Sequence, residues 1–133
     1  MKKIKTALIS VSDKSNLKPL LKILRKNKIK LISSGGTYKK ISELKFECLE
    51  VSDFTGTNEI LDGRVKTLHP KIYAGILNKR KNKTHVKEMK FKSFENIDLV
   101  IVNFYPFEKI IKKTKNSNKI IEQIDIGGPT LVR

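Results

Sequence analysis

Apolar residues along this chain come in short solid runs separated by stretches of helical periodicity. Thr6 to Val11 (TALISV) is a continuous, partly β-branched run, the pattern of a strand covered on both faces. Leu17, Leu20, Leu21 and Leu24 then recur at helical spacing, with Ser15 or Asn16 placed to cap and Pro19 in or near the first turn. The pattern next predicts a strand at Lys30 to Ser33, a short helix from Thr37 and a strand across Phe46 to Val51. Pro70 to Leu77 reads as a helix, and Asp98 to Phe104 (DLVIVNF) is the clearest buried strand, ended by Tyr105-Pro106. Helical stretches follow near Phe107 to Lys113 and Asn118 to Ile124, before the closing IDIGGPTLVR. Alternating strands and helices predict an α/β fold of three layers, a mostly parallel sheet with helices on both faces.

Length and composition narrow this picture. The 133 residues suffice for one domain whose core covers roughly two-thirds of the unfolded surface. No run approaches the ~18 apolar residues of a membrane span, and the start MKKIKTALISVSDK meets acid too soon to resemble a secretory signal, so a cytoplasmic protein without a membrane partner is expected. Cys48 stands alone and reads as a small buried hydrophobe rather than a reactive thiol.

The formal net charge of +16 raises the question of a nucleic-acid partner. Of 29 basic residues only four are Arg, whereas recognition of bases and phosphates by bidentate contact favours Arg. Lys, Ile and Asn supply 51 residues and Ala two, the bias of A/T-rich codons filling tolerant surface positions. Solvated faces, not nucleic-acid binding, are therefore expected, with steering of an anionic substrate as the alternative ahead of a nucleic-acid partner, and Asn78 to Lys92 reads as a solvated loop or mobile helix.

In parallel sheets ligands bind outside the carboxyl ends of the strands, which selects five stretches. The first is Ser10-Val-Ser12-Asp13-Lys14. The second is Ser34-Gly35-Gly36-Thr37, where glycines let the backbone turn and expose amides beside a helix N-terminus suited to an anion; a purely structural turn is the alternative. The third is Gly63-Arg64-Val65-Lys66-Thr67-Leu68-His69-Pro70, with Arg64 as a fork-shaped donor or a surface ion-pair partner and His69 as a capping or packing residue. The fourth, Asn103 to Phe107, ends the strongest strand with an amide and a phenol, or simply with core aromatics. The fifth, Asp125 to Thr130, sets a carboxylate before a second Gly-Gly turn, as an acid-base group or a helix cap, with Pro129 suited to the first helical position.

SVSDK, SSGGT, GRVKTLHP, NFYPF and QIDIGGPT, in this order and spacing across nearly the whole chain, resemble the IMP cyclohydrolase domain, the amino-terminal part of bifunctional AICAR transformylase/IMP cyclohydrolases. The resemblance implies the methylglyoxal-synthase-like three-layer fold. It also implies a purine ribotide substrate, formylated aminoimidazole carboxamide ribotide (FAICAR), which closes its second ring to IMP, with no metal and no organic cofactor. On this reading Ser34, Gly35, Gly36 and Thr37, with Ser12, Asp13 and Lys14, hold the 5′-phosphate or neighbouring polar atoms. Arg64, Val65, Lys66 and Thr67 complete the pocket, and Asn103, Asp125, Ile126 and Gly127 line the base end. Lys66, Tyr105 and Asp125 are the expected catalytic groups. A β-branched residue at Gly36 is expected to weaken binding at least about tenfold.

The family implies a further lysine shortly beyond the counterpart of Arg133 and a transformylase domain after it. The chain, one domain over 1–133, therefore reads as a shortened cyclohydrolase-like domain without transformylase, in which a homodimer is left open. A non-catalytic module of the same fold that binds a phosphorylated ligand is the alternative function.

Overall fold

The computed structural model describes residues 3–121 and 124–132. Four strands form one all-parallel sheet: β1 (Thr6–Val11), β2 (Lys30–Ser33), β3 (Leu49–Glu50) and β4 (Leu99–Asn103), in the order β3-β2-β1-β4. The solid apolar runs are explained by the two faces. Ala7 and Ile9 of β1 and Leu31 of β2 point to one side, where α1 (Leu17–Lys26) and α2 (Gly35–Glu43) bring Leu17, Leu21, Leu24 and Ile41. Leu8 and Ile32 point to the other, against Val51 and Phe54 of α3 (Val51–Thr55), Ile72 of α4 (Pro70–Leu77) and Leu131 of α8 (Gly127–Val132). The three layers follow, because a strand buried on both faces cannot alternate apolar with polar.

Local signals set several elements. Pro70 opens α4, and His69 caps it: Nδ1 accepts from the Lys71 amide at 3.1 Å, the capping role its position suggested. Asn16 stands at the N-cap of α1 but makes no side-chain cap bond; Asp13 Oδ1 instead accepts from the Ser15 amide at 2.9 Å. Arg80 uses its fork structurally, donating to the Gly75 and Ile97 carbonyls at 3.0 and 2.9 Å and so tying α4 to the start of β4.

Some expectations change. The predicted strand over Phe46 to Val51 shrinks to Leu49–Glu50, because Phe46 turns into the α1–α2 cluster, where Arg25 stacks on its ring at 4.7 Å, and Val51 already begins α3. The helix predicted from Thr37 starts at Gly35, and Pro129 is the third residue of α8 rather than the first. Within 78–92, Lys83–Phe91 forms α5, anchored by buried Met89 and capped by Asn82, whose Oδ1 accepts from the His85 amide at 3.1 Å. The last predicted helices are α6 (Phe107–Ile111) and α7 (Ser117–Ile121), the remainder of the second falling partly outside the described residues. No described helix is long and apolar enough to cross a membrane.

Candidate functional site

Strands β1 and β4 end side by side, Val11 in register with Asn103, and at this point the sheet order reverses. The Asn103 amide group closes the gap. Its Oδ1 accepts from the Ser12 and Asp13 amides at 2.6 and 3.0 Å, and its Nδ2 donates to the Asp13 carbonyl at 2.9 Å. One side chain thus fixes the loop after β1 from the neighbouring strand.

The loop after β2 is fixed as firmly. Thr37 is buried, and its Oγ1 donates to the Val11 carbonyl at 2.9 Å while accepting from the Val11 amide at 3.2 Å. Val11 ends β1, so without Thr37 both its backbone groups would lose a partner. Buried Ser33 donates from Oγ to the Ile9 carbonyl at 2.7 Å, tying β2 to β1 as well. The Ser34 side chain makes no cap bond to α2, so it does not satisfy the first amides of that helix.

The cations approach this turn from two sides. Lys14 donates to the Ser12 carbonyl at 3.0 Å, and its Nζ lies 3.9 Å from where a Gly36 Cβ would sit. Lys66 reaches over Gly35, its Nζ 3.0 Å from a Cβ built there. Gly35 also has φ +52, in the left-handed region, whereas Gly36 does not. Of the two glycines read alike in the sequence, Gly35 therefore has the stricter need.

The remaining stretches close a ring. Thr67 Oγ1 lies 3.2 Å from a Cβ position on Gly127, and Phe104 Cδ1 lies 3.1 Å from one on Gly128. Phe104 directly follows Asn103, which holds Ser12 and Asp13. All five stretches selected from the sequence therefore meet at one end of the sheet. Asp125 acts as the helix cap raised as its alternative, Oδ1 accepting from the Gly128 amide at 2.9 Å, and leaves Oδ2 for other partners. Tyr105 is about half exposed (49%) beside Phe104, Ile126 is exposed, and Arg64 is exposed next to half-buried Val65.

Next to Lys66 a cavity of about 220 Å³ opens between the ends of β2 and β3, bordered by Ser34, Glu50, Ser52, Thr57 and Glu59. This second rim lies outside the five stretches selected from the sequence, where its one signal is the position of Thr57 and Glu59 just ahead of GRVKT. His69 ties this rim to α4: with Nδ1 accepting, Nε2 carries the hydrogen and faces Thr57 Oγ1 at 3.4 Å. Cys48 lies outside the ring. Burial, with Glu50 as a lesser cause, pushes its thiol up to about 12 from an ordinary 9.0, in keeping with an inert, half-buried residue. Among the described residues no group of three or more His, Cys, Asp or Glu side chains could hold a metal.

A parallel three-layer domain that gathers cations, hydroxyls and a helix N-terminus at one sheet end defines a class, and residues 16–130 match the MGS-like domain; the chain belongs to that family. Among its relatives are bifunctional purine biosynthesis proteins PurH. That of Acetivibrio thermocellus is 48% identical over 131 residues, covering 98% of this chain and 26% of that protein. The Prochlorococcus marinus MIT 9515 protein is 51% identical over 128 residues, 96% of this chain and 25% of its own length. The chain thus spans about a quarter of these relatives, their N-terminal part. The crystal structure of ForH superimposes with a TM-score of 0.80 at 30% identity, covering 96% of this chain and 65% of that one.

Proposed function

We propose that this domain closes FAICAR to IMP, the IMP cyclohydrolase reaction. The observation that carries this reading is the ring of contacts in which Lys66 overhangs the Gly35 turn while Asn103, Phe104 and Asp125 border the same sheet end. The relatives named as purine biosynthesis proteins support it.

A carboxamide nitrogen is a weak nucleophile because its lone pair is delocalised onto oxygen. Its attack on the formyl carbon forms the new C–N bond and moves charge onto the formyl oxygen. That oxygen leaves as water, taking one hydrogen from the carboxamide nitrogen and one from the formamido nitrogen. The step is intramolecular, so the protein chiefly orients groups and stabilises charge. In the proposed roles Lys66 faces the carboxamide oxygen and favours its imidate-like form. Tyr105 donates a hydrogen bond and assists proton movement, and Asp125 accepts a proton through Oδ2. Amides near Gly127 face the developing oxyanion. The phosphate sits on the Ser34 to Thr37 turn with Ser12, Asp13 and Lys14, and Arg64, Val65, Thr67 and Ile126 border the rest of the nucleotide.

The test is conversion of synthetic FAICAR by the purified chain, followed by the ultraviolet absorbance of IMP. Conversion above the uncatalysed rate supports the enzyme. IMP binding without conversion identifies a nucleotide-binding module, and salt-sensitive polyanion binding that IMP does not displace rejects both.

A further inference from the structure

Glu59 takes no part in the proposed reaction, yet its carboxylate borders the same cavity as Lys66. That cavity lies beyond the ends of β2 and β3, whereas Asn103 ends β4 on the opposite side of β1. Glu59 and Lys66 therefore share a rim beyond the ends of β2 and β3.

Glu59 also leads into the hairpin that delivers Arg64, Lys66 and Thr67. Ile60 and Val65 pair antiparallel, with bonds of 3.1 Å (Ile60 amide to Val65 carbonyl) and 3.3 Å (Val65 amide to Ile60 carbonyl). The turn between them runs left-handed through Leu61 (φ 54), Asp62 (φ 54) and Gly63 (φ 81), and the first two are strained there because each carries a Cβ. Apolar packing does not hold this turn: Ile60 and Leu61 are 56% and 65% exposed. The Glu59 carboxylate does lie against it, with Oε2 3.2 Å from a Cβ position on Gly63. Only a glycine leaves that space free and accepts that φ.

We propose that Glu59 is a positioning residue: docked on Gly63, its carboxylate fixes the strained hairpin that carries Lys66 and so sets where the ammonium stands over Gly35. This rests on the cyclohydrolase reading for its effect on turnover, but not for its effect on Lys66 itself. The sign of the electrostatics makes it distinguishable from simple scaffolding. A carboxylate on the rim of an anion site opposes the anion, so neutralising it favours phosphate binding, while a lysine carried on a loosened hairpin is more exposed and less well aimed.

The experiment compares wild type with Glu59→Gln, which keeps shape and removes charge, and with Glu59→Asp, which keeps charge. Acylation of Lys66 by acetic anhydride, mapped on peptides by mass spectrometry and normalised to Lys14, should rise at least threefold in Glu59→Gln and return toward wild type in Glu59→Asp. FAICAR turnover should fall at least tenfold in Glu59→Gln while IMP binds equally or more tightly. Unchanged Lys66 acylation overturns the proposal even if turnover falls, and so does tenfold weaker IMP binding in Glu59→Gln, which marks a merely structural role. Should wild type itself leave FAICAR unconverted, the cyclohydrolase reading fails, and Lys66 acylation alone decides the role of Glu59.

Discussion

The loops after β1 and β2 and the segment from Phe104 to Val132 border the same sheet end but are built differently. The first pair is bolted to the core: Thr37 and Ser33 are buried and hydrogen-bond to β1 backbone, and Asn103 reaches in from the next strand. Among its described residues the second is held at few points. Gly128 meets Phe104, Leu131 enters the core, and Tyr73 shares a 2.8 Å hydrogen bond with Thr130. Helix α7 buries none of its residues, and Ile111, Ile121, Ile124 and Ile126 are all exposed. On the proposed reading the first pair is the phosphate subsite, which gains from rigidity because its amides must be preset, while Tyr105 and Asp125 stand on the more exposed segment.

Variants can break or sharpen this contrast. The largest effect is expected at Lys66, which stands over Gly35 while the adjoining Thr67 meets Gly127: Lys66→Ala should lower FAICAR turnover by about 10², or roughly 2.7 kcal/mol, and a rate within threefold of wild type would exclude its charge role. Thr37→Val keeps the volume but strands the Val11 amide and carbonyl, so urea unfolding should show a loss of about 1–3 kcal/mol. Gly35→Val adds a Cβ at φ +52 and displaces Lys66; IMP should bind at least about tenfold more weakly by calorimetry, whereas Gly36→Ala should stay within about threefold. On the loose side Ile121→Ser, at a 60% exposed position, should shift stability by no more than about 0.5 kcal/mol. A loss near that of Thr37→Val would remove the contrast.

The smallest effect concerns Cys48. With a folded value near 12 above an unfolded 9.0, the folded chain keeps its proton where the unfolded chain has lost it. Its contribution is thus intact below about pH 9 and declines as pH rises toward 12, a slope Cys48→Ala should remove from unfolding curves. Alkylation by iodoacetamide at pH 8 should be slow until the chain is unfolded.

Where a signal was local, sequence and structure agree. β1, β2 and α4 occupy the residues read from TALISV, KLIS and the Pro70 start, because a solid β-branched run or a proline at the first helical position restricts the backbone wherever the segment lies. That the stretches after β1, β2 and β4 share one sheet end was legible for a similar reason, because a parallel sheet sends every strand-to-helix loop to one end; 63–70 and 125–130 follow helices and reach it only through packing. The shortening of β3, the left-handed demand at Gly35 rather than Gly36, and the approach of Glu59 to Gly63 were not legible. The grip of Asn103 on amides 90 and 91 positions away was not either. Each depends on which remote backbone and side chain arrive beside a residue, and only packing the elements together fixes those distances.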